Sequence, residues 1–504
     1  FDVFSSENYS VSVGGVLENN GTFSAQEGTI TFNGSYSQIF TPGSSSYYNI
    51  TLNNAGGDEK TLLIADDLEI DNDLTLTDGT LNLNSNDPAI SIGGDLAIAD
   101  GAVWTKGDET VTFDGATQSL SDANNTPNDL GDAFINSTQM TVTTDATFTS
   151  VQISFGGKNI LNTGKTLAIT GALTIAGELE MADGSVVDAG GDVTVSGTLD
   201  MDGTSRLKIE EDLSFSGILE ASDDSRIDLD GDTQQTIYGS ATPTFNSLFC
   251  SSNASILNLT ATINDTLDAG GEDFTIEDGA TLTMDAGSVT VMSGGDWTRT
   301  GTLTLNATSK VLYTTADQST MTDLDYGHIE HDGGDLGQEG ALVVLGTFTN
   351  TSGDFAASEN LQAKGIIWTD GAVTENPEQE WAIGTDGIII NGGTFVATTG
   401  TFTVEGNWFK DGGTLTATNS TVNFNGATAQ TITSGGGVFY SVSISNTAAN
   451  VSITDKFEFN GGGTLTIDEN GRKIMVCGLH NTGQEKYIEN FSQWTCNLLA
   501  SCIV

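Results

Sequence analysis

The sequence predicts an all-β chain: an elongated parallel β-solenoid (β-helix) with a distinct Cys-containing C-terminal cap. Three observations carry that expectation. Apolar residues recur in pairs with one polar residue between them, as in Leu68/Ile70, Leu74/Leu76, Leu81/Leu83, Ile90/Ile92 and Leu96/Ile98, so each pair lies on one face of a strand. Asp-Gly, Asn or Gly-Gly breaks the rhythm every few residues, and these types tolerate the positive φ of tight corners. A longer pattern also repeats five times, with a turn residue about 17 positions ahead of a bulky one: Gly15 and Phe32, Asp95 and Phe113, Asp212 and Leu229, Asp296 and Tyr313, Asn407 and Phe424. Gly and Gln follow in four copies, as Gly34/Gln38, Gly115/Gln118, Gly231/Gln235 and Gly426/Gln430; the fifth keeps Gln318 but has Thr315 for the glycine. Every second copy recurs after roughly 200 residues, which suggests a larger unit present about two and a half times.

Taken in order, residues 1–13 (FDVFSSENYSVSV) alternate and read as two short strands, serving as an N-terminal cap or as a strand lent to a neighbour. Residues 14–469 are the solenoid. Aromatic strands follow several repeats: Tyr47 to Leu52, Phe245 to Phe249, and Phe439 to Ile444. The paired rhythm continues through Leu167/Ile169, Leu173/Ile175, Leu179/Met181, Phe274/Ile276, Leu282/Met284, Val289/Val291 and Phe402/Val404. Hairpins would make a meander from such strands, but monotonous pairs and corners without long loops fit coils better. Three strands per coil of roughly 20 to 25 residues imply a rod near 100 Å long, at about 4.8 Å per coil. Residues 365–384 (GIIWTDGAVTENPEQEWAIG) are less regular, and Pro377 is awkward in a central strand, so a corner or protruding loop is expected. Residues 470–504 gather Arg472, Lys473, Lys486, three aromatics and three of the four cysteines, a cap or assembly segment that covers the last coil.

Composition narrows function. The chain of 504 residues has 62 Gly, only 5 Pro, and 15 basic against 68 acidic residues, a net charge of −53. Such a surface repels nucleic acid and anionic lipid. It reads as a solubilising coat, a saline habitat, or corners that hold divalent cations. No apolar run approaches the roughly 18 residues of a membrane span. The chain opens at Phe1 without a basic segment and apolar core, as a secreted product does once its signal is removed.

The chemistry-bearing residues were each weighed against a structural role. Arg206, Arg226, Arg299 and Arg472 are far apart in sequence, and a polyanionic substrate would be repelled, so the chain is expected not to be an enzyme. His328, Glu330 and His331 form the one close His pair; strand alternation sends His331 to the opposite face, so the three cannot share a metal. Paired acids at Asp66-Asp67, Glu210-Glu211-Asp212 and Asp223-Asp224 leave Ca²⁺ open, but the nonapeptide of calcium-binding β-rolls is missing, and solvated corners are preferred. No other cofactor is expected. Thr-x-Thr pairs recur too irregularly for an ice-binding face. Cys250 lies many coils from the others and reads as a buried hydrophobe; one disulfide is expected among Cys477, Cys496 and Cys502. Sequons at Asn8, Asn20, Asn33, Asn49, Asn124, Asn136, Asn253, Asn258, Asn264, Asn306, Asn350, Asn419, Asn450 and Asn490 are glycosylation candidates.

The run GNW…GTLTATNSTVNFNGATAQTI followed by FYSVSISN resembles the β-strand-repeat modules of large secreted surface proteins. These are similar to the parallel β-solenoid stalks of adhesins and autotransporter passengers. The resemblance spans roughly residues 14–467 and implies a cell-surface stalk, adhesin or structural layer, with no catalytic residues to carry over. The leading expectation is an extracellular structural protein, a subunit of a surface filament or sheath assembled end to end with copies of itself. Phe1, Val3 and Phe4 at one end, and Leu498, Leu499, Ile503 and Val504 at the other, are the expected contacts. The alternatives are a monomeric adhesin stalk binding glycan or a host surface, for instance through residues 365–384, and a polysaccharide-acting β-helix enzyme.

Overall fold

The computed structural model describes residues 8–24, 26–54, 60–222, 224–250, 255–268, 273–294, 297–314, 317–374, 378–446, 449–455, 458–460 and 463–467, and the backbone of the short strands Ile474–Val476, Lys486–Ile488 and Thr495–Asn497. The fold is a parallel β-solenoid, and among the described residues no helix is long and apolar enough to cross a membrane. The chain divides into two compact units, residues 1–262 with 277–280, and residues 263–276 with 281–504.

In the first unit each coil carries three short strands. One coil runs Lys158–Leu161, Thr166–Ile169 and Leu173–Ile175; the next begins at Glu178–Met181, which pairs parallel with Lys158–Leu161. Alternation decides what goes inside. Leu167, Val187, Leu207, Ile227 and Leu248 are register partners in successive coils and are all buried, while their strand neighbours Ala168, Asp188 and Lys208 are partly exposed. Each such aliphatic side chain contributes about 1.5–3 kcal/mol on burial. The step from Leu167 to Val187 and on to Leu207 is one coil of 20 residues, the short end of the expected range.

In the second unit several strands lengthen. His328–Gly337, Leu342–Ala356, Leu361–Trp368 and Trp381–Ile390 stack parallel, with register shifts that let one long strand bend round a corner. Here the core turns aromatic. Trp381 meets Phe395 at 5.8 Å and Phe402 at 5.7 Å, both edge-on, and Trp408 meets Phe439 at 5.2 Å. Edge-on rings are the favoured aromatic geometry.

Three local expectations change. Residues 365–384 are strand at both ends, with the short strand Val373–Thr374 between them. Residues 365–368 end the strand Leu361–Trp368 and 381–384 open the strand Trp381–Ile390, with Trp368 and Trp381 each 1% exposed; Pro377 lies outside the described residues. The two tryptophans are core side chains, and burying them outweighs the irregular sequence between them. Val289 and Val291 face outward, and Thr290 and Met292 are buried instead. The run Val-Thr-Val-Met offers apolar groups to both faces, and register with the buried Val311 and Tyr313 selects one. Each aromatic run is two strands rather than one: Ser46–Tyr47 and Asn49–Asn53, Thr244–Phe245 and Ser247–Cys250, Val438–Phe439 and Ser441–Ile444. The chain turns a corner at Tyr48, Asn246 and Tyr440, and the aromatic residue just before each corner, Tyr47, Phe245 or Phe439, is buried in the core.

At the C-terminal end the ladder changes sense. Thr464–Ile467 pairs antiparallel with Thr495–Asn497, and Ile474–Val476 with Lys486–Ile488, whereas the other described ladders are parallel. The side chains of Cys477, Cys496 and Cys502 lie outside the described residues, as do Phe1, Val3, Phe4, Leu498, Leu499, Ile503 and Val504. Cys250 is buried, 1% exposed, at the end of the strand Ser247–Cys250.

Candidate functional surfaces

The 17-residue spacing builds a polar clasp between coils. Gln38, Gln118, Gln235 and Gln430 turn inward and are at most 2% exposed. Each Oε1 accepts the N–H of the glycine before it, Gly34, Gly115, Gly231 or Gly426, at 3.0–3.1 Å. Each Nε2 donates to two carbonyls of the preceding coil at 2.6–2.9 Å: Val13 and Gly15, Ile92 and Gly94, Ile209 and Glu211, Val404 and Gly406. The residue after the glutamine donates its N–H to the turn side chain, as Ser119 to Asp95, Thr236 to Asp212 and Thr431 to Asn407, all at 2.7 Å. Glycine is required by space: a Cβ at Gly231 would sit 1.7 Å from the Glu210 carbonyl oxygen. In the fifth copy, among the described residues, Gln318 reaches the Gly294 carbonyl, at 3.2 Å, and its Oε1 is buried without a hydrogen-bond partner; Thr315, in the glycine's place, lies outside the described residues.

Corner acids use the same logic. Asp73 accepts the Asp95 N–H at 2.9 Å, Asp145 that of Thr166 at 2.9 Å, and Asp354 that of Ala372 at 2.7 Å. Asp455 accepts from Ser434 and Gly435 at 2.7 and 2.6 Å. The N–H and hydroxyl of Thr204 hold the Asp183 carboxyl below its ordinary value. Part of the large acidic excess therefore ties one coil to another through a charge-assisted hydrogen bond, and does not only coat the surface.

In the first unit the three outward faces differ in charge. One is acidic: Glu180, Asp200 and Glu220 are register partners, with Glu178 beside them. Lys158 bridges Glu178 and Glu180 at 2.6 Å each, which raises its own pKa. Burial, followed by repulsion from Asp202, Glu220, Glu180 and Glu178, raises the Asp200 pKa. Carboxylate oxygens of Glu178, Glu180 and Asp200 lie within 4.8 Å of one another, a set of hard oxygen donors such as Ca²⁺ accepts, although Lys158 already neutralises two of them.

The second face is ion-paired. Arg206 and Arg226 are register partners and both bind Asp228, which is 3% exposed. Lys208 meets Asp230 at 2.9 Å and Asp188 at 3.5 Å, and the Arg226 guanidinium lies 4.2 Å over the Phe249 ring. These two arginines look remote in sequence, yet 20 residues is one coil, so folding brings them together. A 20-residue self-comparison of the sequence would have found the pair.

The third face is uncharged along its central column. Ser91, Thr112, Phe134, Gln152 and Thr174 are successive register partners. Thr194, Ser214, Tyr238 and Asn258 continue the column. Between the strands carrying Thr112 and Gln152 lies an open groove of about 380 Å³, with Phe134 on the central strand.

The remaining candidates fall as follows. His331 is buried, with Nδ1 2.5 Å from Asn350 Oδ1 and Nε2 2.8 Å from the Gly333 carbonyl oxygen, while His328 and Glu330 face outward. The His pair is thus split across the sheet, as alternation requires. Asp67 accepts the Ala89 N–H at 3.0 Å and Asp212 that of Thr236, so these acids serve corners; Asp223 lies outside the described residues. Of the Thr-x-Thr pairs, Thr281/Thr283 stacks on Thr302/Thr304, while Thr29/Thr31 and Thr414/Thr416 belong to other sheets. Among the sequons, Asn350 is fully buried and its amide donates to Gly353 and Asp370 carbonyls at 3.1 and 2.6 Å, so it offers no surface for a glycan. Its amide completes the corner around His331, a need that overrides the motif. Asn49, Asn124 and Asn306 are half-buried; Asn8, Asn20, Asn33, Asn136, Asn258, Asn264, Asn419 and Asn450 are exposed; Asn253 and Asn490 lie outside the described residues.

No protein-family model, curated protein or solved structure matches the chain. The class is therefore defined by the fold alone, a parallel β-solenoid.

Proposed function

We propose that this chain is an extracellular structural protein, the subunit of a surface filament or sheath assembled end to end. The observation behind this reading is where the polar side chains go: the clasp glutamines, the corner acids and Arg206 tie one coil to the next. A stack held this way resists being pulled apart along its axis, because every joint carries the ladder and four of them carry the full clasp as well. An end of a solenoid that no strand of its own chain covers leaves unpaired N–H and C=O groups, and a strand from a second copy is the natural complement. A head-to-tail joint that does not close yields a fibre.

Negative-stain electron microscopy of the purified protein, with and without a calcium chelator, tests the reading. Long fibres of uniform width are the expected result, and their loss on chelation would add Ca²⁺ to the joint. Single particles at all concentrations would overturn the filament. A stalk that binds glycan is the second reading, favoured by the uncharged outer column.

A further inference from the structure

We infer that the groove around Phe134 binds a neutral, extended polysaccharide whose chain runs along the uncharged column, across successive coils. Four observations converge on this. First, charge is sorted by face. In a chain of net charge −53, the column from Ser91 to Asn258 holds no ionisable residue except the tyrosine Tyr238; Glu69 precedes Ser91 in register, and Asp114 and Asp132 flank the column, whereas the other two faces carry Glu180, Asp200 and Glu220, or Arg206, Arg226 and Asp228, in their columns. A polyanion or polycation gains nothing from such a column, so a neutral partner fits it. Second, the groove has sugar-binding chemistry. The Phe134 ring is half-buried on the central strand, flanked by the hydroxyls of Thr112 and Ser150 and the exposed amide of Gln152. An aromatic face takes the C–H surface of a pyranose, and hydroxyl, amide and carboxylate groups take its hydroxyls. Third, one polar group is pre-positioned: Asp132, beside Phe134, accepts the Ser150 hydroxyl at 2.6 Å, which holds its carboxylate at the groove. Fourth, the column is continuous from coil to coil. Register partners in a parallel ladder repeat at about 4.8 Å. A ribbon-like β-1,4-linked chain lies flat on such a track, whereas a coiled α-linked chain touches it at intervals. A second aromatic, Tyr238, stands further along the same column and is 42% exposed. The inference goes beyond the structural role and does not depend on it, since a track for polysaccharide serves a filament subunit and a stalk alike.

The test is isothermal titration calorimetry of the whole chain with cellohexaose and with chitohexaose, using a polygalacturonate oligomer as the charged control. Binding of at least one neutral oligomer, and none of the polyanion, is expected. Phe134→Ala and Gln152→Ala should each weaken it roughly fivefold to tenfold, about 1 kcal/mol. Gln152 is exposed, so its variant reads the groove without disturbing packing. Glu220→Gln, on the acidic face, should leave affinity unchanged. Failure of both neutral oligomers to bind, binding unaffected by both groove variants, or self-association through this face in place of sugar binding would each overturn the inference.

Discussion

At the residue scale, two aspartates in neighbouring coils have opposite consequences for stability. Asp183 is bound by the N–H and hydroxyl of Thr204, and its carboxyl is depressed below 3.8. A depressed carboxyl stabilises the fold above its unfolded value, and that contribution disappears as pH falls through the folded value. Asp183→Asn should therefore lower the melting temperature at pH 7 and have no effect near pH 2 (about two units below the ordinary carboxylate value). Asp200 is the reverse. Its carboxyl is raised by burial and by Asp202, Glu220, Glu180 and Glu178, so the folded chain holds a proton that the unfolded chain releases, and stability falls as pH rises above 3.8. Asp200→Asn should raise the melting temperature at pH 7 by on the order of 0.5 kcal/mol in equivalent stability, the size of a half-exposed charge interaction. That gain should fade towards pH 3, about a unit below the ordinary carboxylate value. Thermal scans of both variants across pH would show the two effects; parallel shifts in the same direction would refute the assignment.

At the scale of the element, the clasp is the unit to break. Gln235→Leu keeps the apolar bulk but removes the amide that ties Gly231 to the Ile209 and Glu211 carbonyls; Ile209 keeps the Asp230 N–H at 3.0 Å, and the Glu211 carbonyl loses its clasp donor inside the solenoid. An unpaired buried group costs about 1–3 kcal/mol, so a loss of that order is expected. Gln318 makes one long bond and leaves Oε1 unpaired, so Gln318→Leu should cost well under half as much. Denaturant titration of the pair checks this, and equal losses would mean that the glutamine acts by packing alone. Gly231→Ala should be as damaging as Gln235→Leu, because the added methyl meets the Glu210 carbonyl at 1.7 Å. The five-fold motif was legible in the sequence as a spacing, but its meaning was not. The glutamine's partners lie 24 and 26 residues back, and only a closed coil places them together. The same distance hid the ion-paired face, where Arg206 and Arg226 look isolated until the coil length is known.

At the scale of the whole molecule, a net charge of −53 opposes any contact between copies. If the chain polymerises, repulsion should hold back assembly at low ionic strength and relent as salt rises, since the screening length shrinks from about 30 Å at 0.01 M to about 8 Å at 0.15 M. Light scattering during a salt titration would follow this, and assembly that weakens with salt would point to ion pairs across the joint. Deleting residues 498–504 should abolish fibres while leaving the melting temperature of the solenoid unchanged; unaltered fibres would remove that segment from the joint.

The sequence by itself determined the fold class. Alternating apolar pairs and corner residues are local signals, because a strand's inward face is decided by its neighbours two positions away. It also separated His331 from His328 and Glu330, for the same reason. Tertiary structure decided which residues meet across coils: the clasps, the acid staples, the sorting of charge onto three faces and the groove at Phe134. Those depend on the number of residues per coil, which varies from 20 between Leu167 and Val187 to 24 between Ile50 and Leu74, so no fixed period gives the partners. Where both alternations were apolar, as at Val289 to Met292, or where bulk and irregularity competed, as at Trp368 to Trp381, the packing of adjacent coils chose the outcome.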